Sequence, residues 1–186
     1  MIYYQIQTTN NYFCSTVTDN NKEPPDVPPR TNTTLSNIII TEQDVKDILQ
    51  ILKIGKAIGD DCISHQMLRA TAQTICKPLT ILFNYSLQHG KFPSKWKIAR
   101  VMAVFKKDEK SNPTNYRPIS LLSCVGKVME RVLFKYTFNY IVEHALLYAY
   151  QSGFIKGRFT VSQLLEIYNR VCQNLADHLA NIIIFL

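Results

Sequence analysis

The sequence lacks the cysteine spacing that marks a zinc site or a disulfide framework. Its cysteines are odd in number and far apart: Cys14, Cys62, Cys76, Cys124 and Cys172. We therefore interpret them as buried thiols of a reducing compartment. The four histidines are also scattered, and none is paired with a serine or cysteine nucleophile, which argues against a hydrolase.

Long apolar runs and an amino-terminal leader are missing as well. No run approaches the roughly 18 apolar residues of a membrane span, and the first residues are too polar for a signal peptide. We expect an intracellular protein with no membrane partner. The sequence also shows no internal repeat.

The composition is that of a chain that folds around a core. It has 186 residues, of which 46% are hydrophobic and 19% charged. The net charge of +7 is concentrated in residues 91–135, which hold eleven Lys and Arg against three acids. Such a basic segment indicates an acidic partner, most often nucleic acid, and the alternative is an ordinary solvated face.

A β-hairpin is predicted inside this basic segment. The apolar run Val101 to Phe105 is typical of a buried strand, and a second apolar run covers Ile119 to Leu122. The polar, turn-rich residues between them indicate a chain reversal. Lys106 or Lys107 then ends the outgoing strand, and Arg117 begins the returning one.

Cations at the ends of two facing strands suit a polyanion. Arginine presents a planar fork to phosphate oxygens, and lysine presents a compact charge. Pro118 favours an extended Arg117, which aims its guanidinium. The alternative is a solvated hairpin whose charges only keep the chain soluble.

Helices are predicted on both sides of the hairpin. Thr41 can cap a helix that carries Glu42 and Asp44 at its positive start. Ser64 can cap a helix through the early 70s. Further helices are expected over about 74–88, 123–144 and, from a capping box at Thr160, to about 175. Asn181 to Leu186 has the composition of a buried strand that stops abruptly, so we expect a truncated domain.

The loop Gly59-Asp60-Asp61 contains adjacent aspartates, which in polymerases can hold metal ions. Such a pair lies at the tip of a hairpin, whereas the residues after this loop are predicted to be helical. We therefore interpret Gly59 and Asp61 as parts of a structural loop.

Four blocks in this order resemble the reverse transcriptase domain of LINE-type, jockey-like non-LTR retrotransposons. Each block alone is weak, and the four together are specific. The blocks are Lys56 to Ile63; Gly90 to Lys97; Phe105-Lys106-Lys107 with Asn115 to Leu122 and then Gly126-Lys127 and Glu130-Arg131; and Gln151-Ser-Gly-Phe154 with Gly157 and Thr160.

The resemblance implies an α+β fold, the fingers and first palm edge of a right-hand polymerase. The abundance of Asn, Thr and clustered Pro predicts that residues 1–36 are a flexible segment with a linker over Asn20 to Ser36. By the resemblance, residues 37–186 would be an incomplete reverse transcriptase domain. Lys106 or Lys107 and Arg117 would contact the triphosphate of the incoming nucleotide. Gln151, Gly153 and Phe154 would lie near the template strand and the nascent base pair.

The resemblance also implies partners and a limit on activity. The family works on an RNA or DNA template-primer and dNTP with Mg²⁺, in the nucleus or cytoplasm. Its metal-binding aspartates have no counterpart in this sequence, so we expect neither a metal site nor activity from this chain alone. The alternatives are a non-catalytic nucleic-acid-binding protein, a helical interaction protein and a non-functional pseudogene product.

Overall fold

The structure is a computed structural model that describes residues 2–16, 28, 31–35, 37–148 and 151–182, with side chains from residue 8 onward. The chain divides into two compact units, Met1–Tyr140 and Ile141–Leu186. Mixed helix and strand make the fold α+β. In the described residues, no helix is both long and apolar enough to cross a membrane.

The first unit begins with helices. They are α1 (Ile2–Ser15), α2 (Glu42–Gln50), α3 (His65–Ala70), α4 (Ala72–Gln88) and α5 (Ser94–Lys97). Thr41 and Asp44 form a reciprocal capping box at α2, and the Ser64 side chain accepts the Met67 N–H at α3, as predicted. Gly90 ends α4 in the left-handed region at φ +59°.

The predicted hairpin is confirmed. Strands β1 (Arg100–Phe105) and β2 (Tyr116–Leu121) pair antiparallel, and the turn Pro113–Asn115 precedes β2. The prediction that β1 is buried is wrong, because all six of its residues are exposed. The sheet has only two strands, and none of their residues belongs to the buried core.

Helix α6 (Cys124–Glu143) follows the hairpin and supplies one wall of the core. That core joins it to the segment before α2 and to α2, α3 and α4. Its buried apolar members are Ile40, Val45, Leu49, Leu52, Leu68, Ala72, Cys76, Phe83, Cys124, Val125, Val128, Met129 and Val132. Trp96 packs edge-on against Phe83 and Phe92, which is the packing role that its position suggests.

The second unit contains α7 (Thr160–Ala176). The predicted cap at Thr160 is wrong, because Thr160 is already helical. The Ser162 side chain instead reaches back and accepts the Phe159 N–H at 3.0 Å. None of the residues of α7 is buried.

Several predictions differ from the structure or fall partly outside the residues that it describes. Helix α1 occupies residues that the sequence interpretation assigned to a flexible segment. Most of the predicted linker (residues 20–36) and residues 183–186 of the predicted last strand lie outside the described residues. Ile182, which is described, is exposed and not in a strand, so the prediction of a buried strand fails at that residue.

Candidate functional site

The β1–β2 hairpin has two chemically different faces. The register pairs Val104 with Arg117 and Phe105 with Tyr116. Because side chains alternate along a strand, these two pairs lie on opposite faces. The Lys106 N–H donates to the Asn115 carbonyl at 2.8 Å, which extends the pairing by one residue. Lys106 therefore follows Val104 on the face that carries Arg117.

The cations predicted to contact phosphate are in solvent. Lys106, Lys107 and Arg117 are all exposed. Lys107 Nζ lies 3.8 Å from an oxygen of the neighbouring Asp108, and both side chains are more than half exposed. Such a surface pair is weak. Among the described residues, neither Lys106 nor Arg117 takes part in an ion pair.

The loop between the strands is held by its own hydrogen bonds. The Asn115 side chain donates to the Glu109 carbonyl at 2.9 Å, and the Tyr116 hydroxyl donates to the Lys110 carbonyl at 2.9 Å. Asn112 accepts from both the N–H and the hydroxyl of Thr114. These bonds fix the end of the hairpin next to Lys106.

Gly59 connects the base of the hairpin to the helical part of the unit. A Cβ added there would lie 2.8 Å from the carbonyl carbon and oxygen of Leu122, directly after β2. Asp60 lies 3.8 Å from the Arg100 guanidinium at the start of β1. Asp61 Oδ1 accepts the Ile63 N–H at 3.2 Å within its own loop. Gly59 and Asp61 thus contact the main chain, and Asp60 contacts Arg100.

These partners do not fit a metal site. Mg²⁺ in phosphoryl-transfer enzymes needs carboxylate oxygens free to coordinate it. Asp60 faces an arginine, and one oxygen of Asp61 accepts a backbone N–H. Within the described part of the chain, no group of three or more His, Cys, Asp or Glu side chains could hold a metal ion.

Lys135, which lies on α6 within the basic segment 91–135, has a structural partner that the sequence did not reveal. Its ammonium lies 2.8 Å from the nearly buried carboxylate of Asp44, which also accepts from the Tyr136 hydroxyl at 2.6 Å. Burial raises the pKa of Asp44, but hydrogen bonds from Lys135, Thr41 and Tyr136 outweigh it and hold the pKa well below its usual range. Lys135 therefore ties α6 to α2.

The predicted template-contacting residues belong to the second unit, and the hairpin cations belong to the first. The Gln151 side chain donates to the Gly153 carbonyl at 3.4 Å. Phe154 is fully exposed and has a positive φ of 63°, a backbone conformation that costs a non-glycine residue about 1 kcal/mol. The Ser152 hydroxyl is hydrogen-bonded to Gln163 of α7.

Comparison with known proteins decides the family. The chain is 30% identical over 140 residues to the probable RNA-directed DNA polymerase from transposon BS of Drosophila melanogaster. It is 30% identical over 133 residues to the RNA-directed DNA polymerase from mobile element jockey of the same species. The matches cover 74% and 70% of the chain. The chain belongs to the RNA-directed DNA polymerase family of non-LTR retrotransposons.

A further relative of this polymerase family is a Pol polyprotein from the type-1 retrotransposable element R1 of Bradysia coprophila. It is 33% identical over 119 residues, which are 63% of the chain. The chain spans only 12% to 15% of the length of these three relatives. No family model matches the chain. The resemblance inferred from the four sequence blocks is therefore confirmed at the level of the family.

Sequence reasoning missed two features of this polymerase-family hairpin. One is the edge-to-face pair of Phe105 and Tyr116, whose ring centroids are 5.5 Å apart. The other is Lys110, whose ammonium lies 5.7 Å from the centre of the Phe105 ring. A signal for the pair was present, since aromatic residues at both ends of a hairpin loop face each other across the strands.

Proposed function

We propose that this chain forms the fingers and first palm edge of a right-hand RNA-directed DNA polymerase. In this role it binds the incoming nucleotide and the template. The observation that carries the proposal is the placement of exposed Lys106 and Arg117 on one face of a braced hairpin, in a chain of this polymerase family.

Lys106, Lys107 and Arg117 are proposed to contact the triphosphate of dNTP. Arg117 extends from a paired strand on the same face as Lys106, and its planar fork can meet two phosphate oxygens together. Lys107 can exchange its exposed partner Asp108 for a more highly charged phosphate at little cost. The surrounding net charge of +8 in residues 91–135 supports capture of the polyanion.

Gln151, Gly153 and Phe154 are proposed to lie near the template strand and the nascent base pair. An exposed ring on a strained backbone is typical of residues that contact a ligand. Phe154 is such a residue, and Gly153 beside it leaves open space where a side chain would stand. A base can stack on the ring, because every base offers a π-face.

We propose that these 186 residues alone do not catalyse phosphoryl transfer. In the family, bound Mg²⁺ supplies the positive charge that stabilises the reacting phosphates. The adjacent aspartates present here, Asp60 and Asp61, have other partners and do not fit that role. We expect no extension of a primer by the purified chain with Mg²⁺ and dNTP, and extension would refute this part of the proposal.

Nucleotide binding is tested by calorimetric titration of the chain with dTTP and with thymidine. The triphosphate should bind and the nucleoside should not. Arg117→Gln should weaken dTTP binding about tenfold or more, because a charge-assisted hydrogen bond contributes about 1.5–3 kcal/mol. Lys97→Gln, an exposed residue outside the hairpin, is the matched control. Equal weakening by both variants would show a general positive field rather than this site.

A second candidate function is self-association through α7. Its apolar side chains recur at helical spacing and are exposed: Val161, Leu164, Leu165, Tyr168 and Leu175. By contrast, the apolar faces of α4 and α6 are largely used in the core. Sedimentation should then show a dimer that Leu164→Glu dissociates. A monomeric wild-type chain at the same concentration would exclude this candidate.

A further inference from the structure

The proposed nucleotide site uses only the face of the hairpin that carries Arg117, and the opposite face is left over. It carries Val101, Ala103 and Phe105 on β1 and Tyr116, Pro118 and Ser120 on β2. Phe105 is 39% exposed and Val101 is 50% exposed. Aromatic side chains usually bury most of their surface. Tyr116, by contrast, is partly buried, so this face presents chiefly the Phe105 ring and the strand residues beside it to solvent.

The pair is held in place by the loop that follows β1. The Phe105 and Tyr116 rings are inclined at 62° with centroids 5.5 Å apart. The Tyr116 hydroxyl donates to the Lys110 carbonyl, and the Lys110 ammonium lies over the Phe105 ring. The two rings and the Lys110 ammonium are thus held together by contacts within the hairpin and its loop, whose residues do not belong to the buried core.

This combination matches the chemistry of a single-stranded nucleic acid. Such strands stack bases on aromatic side chains while cations follow the phosphates. The cation that the structure places at the rings is Lys110, 5.7 Å from the centre of the Phe105 ring, and the segment that contains the hairpin, residues 91–135, has a net charge of +8. A duplex hides its base faces and cannot use the rings in this way.

We propose that Phe105 and Tyr116 form a stacking platform for unpaired bases of RNA or DNA, with Lys110 near the adjacent phosphate. The inference rests on the proposed function, and it assigns a second, base-contacting face to the same hairpin. Arg117 and Lys106 serve the nucleotide phosphates on one face. The aromatic pair serves a single strand on the other.

The test compares two fluorescently labelled strands of about twelve nucleotides, within the usual range of site sizes. One is oligothymidylate, and the other has the same phosphates and abasic sugars. The full chain should bind oligothymidylate about tenfold more tightly, as expected for stacking on an aromatic side chain. Phe105→Leu and Tyr116→Leu should remove this preference, whereas Met102→Leu, on the opposite face, should keep it.

The outcomes separate the platform from the nucleotide site. Equal wild-type affinity for both strands overturns the platform, as does a base preference that survives both leucine variants. A change in sedimentation of Phe105→Leu without a change in base preference would show that another protein copy covers this face, and it also overturns the platform. The dTTP titration of Arg117→Gln on the same preparations reports independently whether the proposed nucleotide site exists.

Discussion

Gly59 lies so close to the main chain after β2 that a methyl group there would stand 2.8 Å from the carbonyl oxygen of Leu122. This contact joins the loop before α3 to the end of the hairpin. Asp60, the next residue, faces Arg100 at the other strand. The loop at Gly59 and Asp60 therefore contacts the base of the hairpin, although it lies about forty residues earlier in the chain than Arg100.

Gly59→Ala should destabilise the chain by roughly 2 kcal/mol, because the clash is with backbone and cannot be relieved by a side-chain rotation. Urea unfolding followed by circular dichroism measures the change. Gly153→Ala is the control, since a Cβ at that position meets nothing within 4 Å. A Gly59→Ala variant as stable as wild type would show that the close contact is not maintained in solution.

Asp44→Asn should lower the free energy of unfolding by about 2 kcal/mol, because the nearly buried carboxylate receives hydrogen bonds from three side chains. The lowered pKa of Asp44 adds a pH dependence. Its stabilisation is complete above the unfolded pKa of about 3.9 and is lost as the pH falls toward the folded value. Unfolding curves between neutral and acidic pH measure both effects.

The control for Asp44 is Glu42→Gln, which removes an exposed acid from the same helix start. It should keep the wild-type loss of stability in acid, whereas Asp44→Asn should show a flatter acidic limb. The same acidic limb in Asp44→Asn and wild type would contradict the assignment of the lowered pKa to this cluster.

Tyr136 should titrate at unusually high pH. Its hydrogen bond to Asp44, its partial burial and the Asp44 charge raise the pKa to about 12. The stabilisation is complete below the unfolded pKa of about 10 and is lost as the pH rises through about 12. Because the chain has ten tyrosines, the phenolate absorbance of Tyr136→Phe must be subtracted from that of wild type. When the same subtraction is made in the Asp44→Asn background, the titration midpoint of Tyr136 should lie at lower pH.

Local signals in the sequence were sufficient for much of this fold. The Thr41 cap, the Ser64 cap and the hairpin depend on residues close together in the chain, and each was predicted. The exposure of β1 was not, because an apolar run looks the same whether or not another element covers it. The ion pair between Asp44 and Lys135 spans 91 positions, and no local pattern identifies such partners.

The candidate site could likewise be predicted only in part from the sequence. The hairpin and its basic residues could be found from strand, turn and charge signals. The second face could not be assigned a role, because Phe105 alone looks like the last residue of a buried strand. Only the register reveals that it stands opposite Tyr116 and beside Lys110. The positions of Gln151, Gly153 and Phe154 relative to bound template remain a prediction from the family.

The central claim is that the hairpin cations, rather than the basic segment as a whole, bind phosphate. The most direct measurement is the calorimetric titration with dTTP of two triple variants, each of which removes three exposed charges. Lys106, Lys107 and Arg117 are changed to glutamine in one variant, and Lys91, Lys95 and Lys97 in the other. The account predicts that the hairpin variant loses about a hundredfold or more in affinity for dTTP, because each charge-assisted hydrogen bond contributes about 1.5–3 kcal/mol, and that the control loses clearly less. Equal losses in the two variants would contradict it.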